Sequence, residues 1–219
     1  MLAATITVQG FPLLQLEDKV RFALQCMEHF DVQELAVVKD DYFLGLVQKA
    51  DLLDTDASLA LMVLSDQFKK IMLLDTAHFL IALDLFSKHQ LSILPVLNEQ
   101  QECIGMIPQK SLNDALAKFL GVDVPGAIIV LSVAPYQYSL AEMSRLVESN
   151  NAQIVQLNSY YDETNGAMII TLKINKDEAQ AIIATFQRYD YQLVQYFGKT
   201  PLHNDIEAHY HHLMNYLDV

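Results

Sequence analysis

The sequence has few basic residues and few cysteines for its length. Its 219 residues include 14 lysines and arginines against 27 aspartates and glutamates, which gives a formal net charge of −13. Such a charge repels the phosphates of nucleic acids and anionic lipids, so we expect no nucleic-acid partner and no membrane partner. The two cysteines, Cys26 and Cys103, do not form a CxxC pair, and we interpret them as small apolar core residues.

Long apolar runs and a secretion signal are also missing. No apolar stretch approaches the ~20 residues that cross a bilayer. The segment from Met1 to Thr5 lacks the basic start and the small-residue cleavage site of a signal peptide. The sequence therefore predicts a cytoplasmic protein. Hydrophobic residues make up 52% of the chain, which is enough for a substantial core in one or two domains.

The common catalytic motifs are absent as well. The sequence contains no GxxxxGK phosphate loop, no GxGxxG turn, no HExxH motif and no set of four cysteines for zinc. Its carboxylates are many, but no two of them stand out as an acid/base pair. We therefore expect no enzyme activity and no bound cofactor.

What the sequence does contain is one stretch that recurs about sixty positions later. In each copy an apolar helical pattern precedes a strand, a polar turn, a strand that contains a glycine, and a second helix. Two similar units bury their apolar faces on each other, and the cleft between them is the natural ligand site. We place repeat 1 at about 1–56, a linking helix at 58–70 and repeat 2 at about 71–121.

Residues 126–198 do not continue the repeat. They follow a helix-breaking segment that ends at Pro125, and their pattern predicts the order βαββαβ with a hairpin at Asn165-Gly166. Ser139 and Glu142 have the spacing of a capping box. Such a unit packs two helices on one face of a four-stranded antiparallel sheet, and its free edge or face favours a homodimer. Residues 199–219 follow as a predicted amphipathic tail helix.

The first two blocks resemble a tandem pair of cystathionine-beta-synthase (CBS) domains, also called a Bateman module. The residues that carry the likeness are Leu94-Pro95-Val96 in the second copy, and Gly45-Leu46-Val47 and Asp51-Leu52 in the first. The third block resembles the ACT domain, a ferredoxin-like ligand-sensing module of amino-acid metabolism. The domain order is similar to that of acetoin-utilisation-like bacterial CBS–ACT proteins, so the expected fold class is α+β.

The CBS resemblance implies that AMP, ADP, ATP or S-adenosylmethionine binds between the repeats. In that family a Thr or Ser three positions after the glycine contacts phosphate, and an Asp three positions further holds the ribose hydroxyls. Gln48 and Asp51 occupy these positions in the first copy, and Pro108 and Ser111 occupy them in the second. Asp51 has a second interpretation as a helix cap. The other expected contacts of the nucleotide are apolar: Leu14, Leu35 and Leu73.

The ACT resemblance implies an amino-acid ligand near the first helix of residues 126–198. Amino-acid-binding members have a glycine in the turn before that helix, where bare backbone admits the ligand. Here the turn reads Tyr136-Gln137-Tyr138-Ser139, with Ser139 at the glycine position. The turn therefore admits a different ligand or none. Alternatively, Tyr136 and Tyr138 pack at a subunit interface.

The tail contains a cluster of histidines. Imidazole and carboxylate groups bind zinc or nickel, but His211 would point away from the other histidines on a helix. We therefore interpret the cluster as a solvated flank of the tail helix rather than a metal site. Its members are His203, Asp205, His209, His211 and His212.

These features lead to one hypothesis and two alternatives. The leading hypothesis is a non-catalytic homodimeric regulator, in which the CBS pair senses an adenosine nucleotide and the ACT-like domain supplies a dimer interface or a second ligand pocket. One alternative is a protein-interaction scaffold whose ligand sites have decayed. The other is an enzyme whose site is assembled across subunits, for which the sequence nominates no residue.

Overall fold

Two three-stranded sheets and one four-stranded sheet organise the described part of the chain. The computed structural model describes residues 1–199. The chain divides between Phe119 and Leu120 into two units with separate apolar cores. The first unit contains both repeats, and the second contains the four-stranded sheet.

Each repeat of the first unit has a short strand, a helix, two longer strands and a final helix. Repeat 1 consists of β1 (Leu14–Gln15), α1 (Val20–Phe30), β2 (Glu34–Lys39), β3 (Tyr42–Gln48) and α2 (Lys49–Leu53). Repeat 2 consists of β4 (Leu73–Leu74), α3 (Phe79–His89), β5 (Ile93–Leu97), β6 (Cys103–Pro108) and α4 (Gln109–Phe119). The elements shared with repeat 2 begin at β1, so repeat 1 hereafter means the chain from β1 onward, and a 3-10 helix, Ala3–Ile6, precedes it.

The strand pairing repeats with the sequence. Leu14 pairs with Val37 in the parallel β1–β2 ladder, and Leu73 pairs with Val96 in the parallel β4–β5 ladder. The β2–β3 and β5–β6 pairs are antiparallel. The register of each pair shifts at the equivalent place, directly after Val37 in repeat 1 and directly after Val96 in repeat 2. The predicted internal repeat is therefore confirmed as a repeat of fold.

The turns of repeat 1 follow from residues that tolerate left-handed backbone. Asp40 and Asp41 have φ angles of 48° and 68° and join β2 to β3 in a two-residue hairpin turn. Helices α1 and α3 each end at a left-handed residue with φ of 52°, which is Asp31 in repeat 1 and Gln90 in repeat 2.

The segment between the repeats differs from its prediction. We predicted a helix over 58–70, whereas the structure has a 3-10 helix at Leu61–Gln67 and extended residues after it. Lys69 exchanges two backbone hydrogen bonds of 2.9 Å with Leu46 of β3, so its backbone is extended rather than helical. The buried residues Leu61 and Leu64 have the three-residue spacing of a 3-10 turn.

One apolar core serves both repeats. Leu35 and Val47 of repeat 1 are within 1% of full burial, as are Leu94 and Ile107 of repeat 2, and all four belong to the same core. Burying a side chain of this size contributes about 1.5–3 kcal/mol. Each repeat therefore depends on the other to cover its sheet.

The second unit has the predicted order βαββαβ. Its elements are β7 (Ile128–Val133), α5 (Leu140–Glu148), β8 (Ile154–Asp162), β9 (Ala167–Ile174), α6 (Gln180–Arg188) and β10 (Gln192–Phe197). All strand pairs are antiparallel in the order β10-β7-β9-β8. Alternate residues of β7, such as Ile129 and Leu131, pack with Met143 of α5 and Phe186 of α6. The mixed α+β fold class is confirmed.

The hairpin between β8 and β9 contains Asn165-Gly166, as predicted. Asp162 pairs with Ala167, so four residues form the loop, and Gly166 has a φ of 65°. The Asp162 carboxylate accepts hydrogen bonds from the Asn165 side chain and the Thr164 N–H, and these bonds lower its pKa.

None of the helices within residues 1–199 is long and apolar enough to span a bilayer. Residues 200–219 carry nearly all of the predicted tail helix and the whole histidine cluster. Both predictions concern positions outside the described residues.

Candidate ligand-binding clefts

The segment that leads into each repeat pairs with the last strand of the other repeat. Val8, ahead of repeat 1, exchanges backbone hydrogen bonds of 2.7 and 3.0 Å with Met106 of β6. Lys69, ahead of repeat 2, makes the corresponding exchange with Leu46 of β3. Each repeat therefore supplies backbone beside the site positions of the other.

Two glycines permit this reciprocal pairing. Gly45 and Gly105 have φ angles of 147° and 155°, which L side chains rarely adopt. A Cβ on Gly45 would lie 2.7 Å from the Cβ of Phe68, and one on Gly105 would lie 2.9 Å from the carbonyl oxygen of Val8. The close approach of the leading segments therefore requires glycine at both places.

The first candidate cleft is the one that the CBS resemblance assigns to Gln48 and Asp51. Gln48 is the last residue of β3 and the N-cap of α2, so Asp51 lies in the first turn of the helix and the prediction that it caps the helix is wrong. Asp51 is half-buried, and within residues 1–199 its carboxylate has no hydrogen-bond or ion-pair partner. The carboxylate is therefore free to accept hydrogen bonds from a ligand.

The second candidate cleft differs in its chemistry. Pro108 ends β6 opposite Ile93 and offers neither an N–H nor a polar side chain. Ser111 lies in the first turn of α4 and lines a cavity of about 460 Å³. The 3-10 helix ahead of repeat 1 contributes Thr5 and Ile6 to the wall, and α4 contributes Asp114 and Lys118.

The three leucines predicted to contact a nucleotide lie in the core. Leu14 and Leu35 have no exposed surface and Leu73 has 4%. They pack in the core shared by the two repeats. Their side chains are closed to solvent, whereas the other site residues are half-buried: Gln48, Asp51, Pro108 and Ser111.

A buried carboxylate between the repeats was missed by the sequence reasoning. Glu34, the first residue of β2, is 1% exposed and accepts hydrogen bonds from Ser92 and Ile93 at the start of β5. The sequence did show a charged residue directly before the apolar residues of a predicted strand. It did not indicate the hydrogen-bond partners of this residue, because they lie in the other repeat.

A cavity of about 470 Å³ borders this contact. Its floor contains the apolar side chains of Leu83, Phe86, Leu91 and Leu112. The other lining residues carry uncharged amide or hydroxyl groups: Gln33, Ser87, Gln90, Ser92, Gln109 and Asn113.

The predicted ligand turn of the second unit, residues 136–139, makes its hydrogen bonds within that unit. Tyr136 is 87% exposed, whereas Tyr138 is half-buried and its hydroxyl lies 2.9 Å from that of Ser159. Ser139 caps α5 by accepting a hydrogen bond from the Glu142 N–H, as the capping-box pattern predicts. Tyr138 therefore packs partly against the core of its own unit, whereas the ring of Tyr136 is almost fully exposed.

A buried tyrosine supports this turn from within the unit. The Tyr191 hydroxyl donates to the Glu142 carboxylate at 3.0 Å and lies 3.5 Å from the carbonyl oxygen of Gln137. Burial raises the pKa of Tyr191 to about 12, with a further contribution from Glu142. At neutral pH the phenol is protonated and able to donate this bond.

Comparison with known proteins identifies the fold of the first unit. The family model of the CBS domain matches residues 71–118, which cover repeat 2. The crystal structure of a CBS domain pair/ACT domain protein from Thermotoga maritima is similar at 27% identity and a TM-score of 0.50, over 55% of this chain and 99% of that one. The first unit has the fold of a CBS-domain pair.

Two further structures are similar to this chain. A putative acetoin utilization protein from Vibrio cholerae is 17% identical with a TM-score of 0.47, over 56% of this chain and 95% of that one. CBSX2, whose structure was determined in complex with AMP, is 18% identical with a TM-score of 0.46, over 54% of this chain and 97% of that one. The identification of the CBS pair rests on the family match and the Thermotoga protein.

Proposed function

We propose that this protein is a non-catalytic regulator that binds an adenosine nucleotide in its CBS-domain pair. Asp51 carries the proposal, because its side chain is half-buried rather than closed to solvent and its carboxylate has no partner within residues 1–199. A carboxylate accepts hydrogen bonds, and the vicinal hydroxyls of a ribose donate two. The reciprocal pairing of the repeats supports this assignment by bringing a second segment beside β3, the strand that leads to Asp51.

The surroundings of Asp51 favour an anionic ligand. Gln48 lies three residues before Asp51, and its carboxamide offers N–H donors where the family has a hydroxyl. Lys69 and Lys70 are exposed on the segment that pairs with β3, and the Lys70 ammonium donates to the carbonyl of Leu44 in that strand. These groups provide donors and positive charge for a phosphate. We therefore place the stronger nucleotide site in the first cleft.

A calorimetric titration with AMP tests this proposal. We expect the wild-type protein to bind AMP and D51A to bind it at least ~10-fold more weakly, because a lost hydrogen bond to a charged group is worth ~1.5–3 kcal/mol. The matched control is S111A, which removes the corresponding polar group of the second cleft and leaves the affinity almost unchanged.

The titration also has an outcome that rejects the proposal. If the folded wild-type protein binds none of AMP, ADP, ATP and S-adenosylmethionine at millimolar concentration, the proposal that it senses nucleotides is rejected. If the wild type and D51A bind AMP with equal affinity, Asp51 does not contact the ligand. Thermal unfolding of each variant establishes that the change acts on binding rather than on folding.

For the second unit we propose an ACT-like domain that forms a dimer interface or senses a second ligand, such as an amino acid. Support comes from its βαββαβ order, its two edge strands β8 and β10, and the exposed ring of Tyr136. Light scattering of the full chain should give the mass of a dimer, and a monomer mass would contradict the interface. Thermal unfolding with a panel of amino acids tests the sensing role, because a bound ligand raises the unfolding temperature.

A second candidate function is a protein-interaction scaffold whose ligand sites have decayed. The observation that favours it is the second cleft, where Pro108 and Ser111 supply neither of the expected ligand groups. Exposed apolar side chains in the first unit, such as Leu53 and Met62, add contact surface. A flat response to every nucleotide, together with a stable complex of defined stoichiometry with one protein, would favour the scaffold.

A further inference from the structure

We propose that Glu34 is a positioning residue that fixes the two candidate clefts relative to each other. It lies at the junction of the two repeats and has no place in the proposed ligand contacts. Its expected effect on nucleotide binding rests on the proposed function, whereas its effect on the geometry of the clefts does not.

The contact joins one strand of each repeat through a single carboxylate. Oε1 of Glu34 accepts hydrogen bonds from the Ser92 N–H at 2.5 Å, the Ile93 N–H at 2.8 Å and the Ser92 hydroxyl at 2.9 Å. The Gln33 N–H donates back to the Ser92 hydroxyl oxygen at 2.8 Å. Four hydrogen bonds therefore connect the start of β2 with the start of β5.

The same carboxylate connects the two site positions that the CBS resemblance assigns to phosphate. Glu34 is the ladder partner of Gln48 in the first cleft, and Ile93 is the ladder partner of Pro108 in the second. The path from Gln48 to Pro108 thus runs through two strand pairs and the Glu34 carboxylate. A shift of one site strand is transmitted to the other while this contact is intact.

The chemistry of the contact makes it stiff. A buried carboxylate is costly unless hydrogen bonds satisfy it, and removing it leaves buried N–H groups without an acceptor. Ile93 occupies the corresponding position of repeat 2, so repeat 2 has no equivalent carboxylate. The Glu34 contact is accordingly present in one repeat and has no counterpart in the other.

Amide hydrogen exchange of the full-length protein tests the positioning role without a ligand. In E34A we expect exchange to rise at least ~10-fold at Ser92 and Ile93 and also in the segments 45–53 and 105–113, which belong to the two clefts. E34Q keeps an acceptor oxygen and should restore most of the protection. The matched control is E28A, which removes an exposed glutamate of α1 and should leave all three segments unchanged.

A ligand arm separates positioning from general packing. AMP at a concentration that fills only the first cleft should reduce exchange in both 45–53 and 105–113 in the wild type and in E28A. In E34A it should protect 45–53 alone. A weaker AMP affinity of E34A without any change in exchange would show that Glu34 touches the ligand, and would overturn the positioning role.

The two proposals fail in different ways. If the wild type does not bind AMP, the proposed function fails, and the ligand-free exchange still decides whether Glu34 positions the clefts. If AMP binds but E34A exchanges like the wild type in 45–53 and 105–113, the positioning role fails and the proposed function stands. Should E34A not fold, S92A replaces it, because this variant removes the hydroxyl that donates to Glu34 and keeps both backbone donors. We expect S92A to raise exchange in 45–53 and 105–113 by a smaller factor than E34A, and exchange equal to that of the wild type would overturn the positioning role.

Discussion

The two repeats of the CBS-domain pair have the same fold but different residues at their candidate ligand positions. Gly45 and Gly105 occupy equivalent places, and the ladders on both sides match residue for residue at Leu14 and Leu73. Three positions after each glycine, however, the chain has Gln48 in one repeat and Pro108 in the other. Packing constrains the positions that hold the strands together, whereas the ligand positions are free to diverge.

The largest expected effect comes from the shared glycines. G45A and G105A place a Cβ against backbone or Cβ atoms of a leading segment in a backbone conformation that disfavours L residues, so each should lose about 3 kcal/mol of unfolding free energy. Urea unfolding measures this loss. The control is G10A, where φ is 100° but no atom of residues 1–199 lies within 4 Å of the added Cβ.

Because G10A incurs only the conformational cost of a positive φ, its loss should be about 1 kcal/mol. The difference between the variants then isolates the close approach of the leading segments. A loss for G45A no larger than that for G10A would mean that the reciprocal pairing of the repeats is not what the glycines serve.

An intermediate effect should follow from making the second cleft resemble the family pattern. P108T combined with S111D supplies a hydroxyl and a carboxylate, which together should strengthen AMP binding there by about 10-fold, equivalent to ~1.4 kcal/mol. Calorimetry should then show a second binding event. The double variant P108A/S111A removes the proline without adding ligand groups and should show none; equal stoichiometry in both variants would contradict the assignment of these positions.

The smallest expected effect compares the helix ends. Asp31 and Gln90 share a φ of 52°, but a short aspartate tolerates left-handed backbone better than glutamine does. Q90G should therefore stabilise the fold by about 0.5–1 kcal/mol, and D31G by only a few tenths. Denaturant midpoints at an unchanged slope measure both, and a larger gain for D31G would reverse the expected order.

Several elements of the fold could be predicted from local sequence. The recurrence of the apolar pattern predicted two equivalent units, each with a polar turn between its two longer strands. The prediction of a helix over 58–70 was wrong because Lys69 pairs with Leu46 of β3. No local sequence pattern indicates this contact. Tertiary pairing overrides the local helix propensity of a segment where its backbone hydrogen-bonds to a strand of the other repeat.

The candidate site was predicted only in part for the same reason. The CBS resemblance assigned ligand positions to Gln48 and Asp51, which stay predictions. The alternative that Asp51 caps the helix is wrong, because β3 extends to Gln48 and the helix begins at Lys49. Glu34 was visible as a charge within an apolar strand. Its role depends on Ser92 in the other repeat, and a single sequence does not encode that proximity in any local pattern.

The pairing of Val8 with Met106 has a consequence for the order in which the first unit folds. The bond between Lys69 and Leu46 closes a short loop, whereas that between Val8 and Met106 encloses nearly the whole unit and costs more chain entropy. The segment that includes Val8 should therefore dock late in folding. Since Thr5 and Ile6 of that segment line the cavity beside Ser111, the second cleft is completed last, and a brief local opening of this segment is enough to expose it.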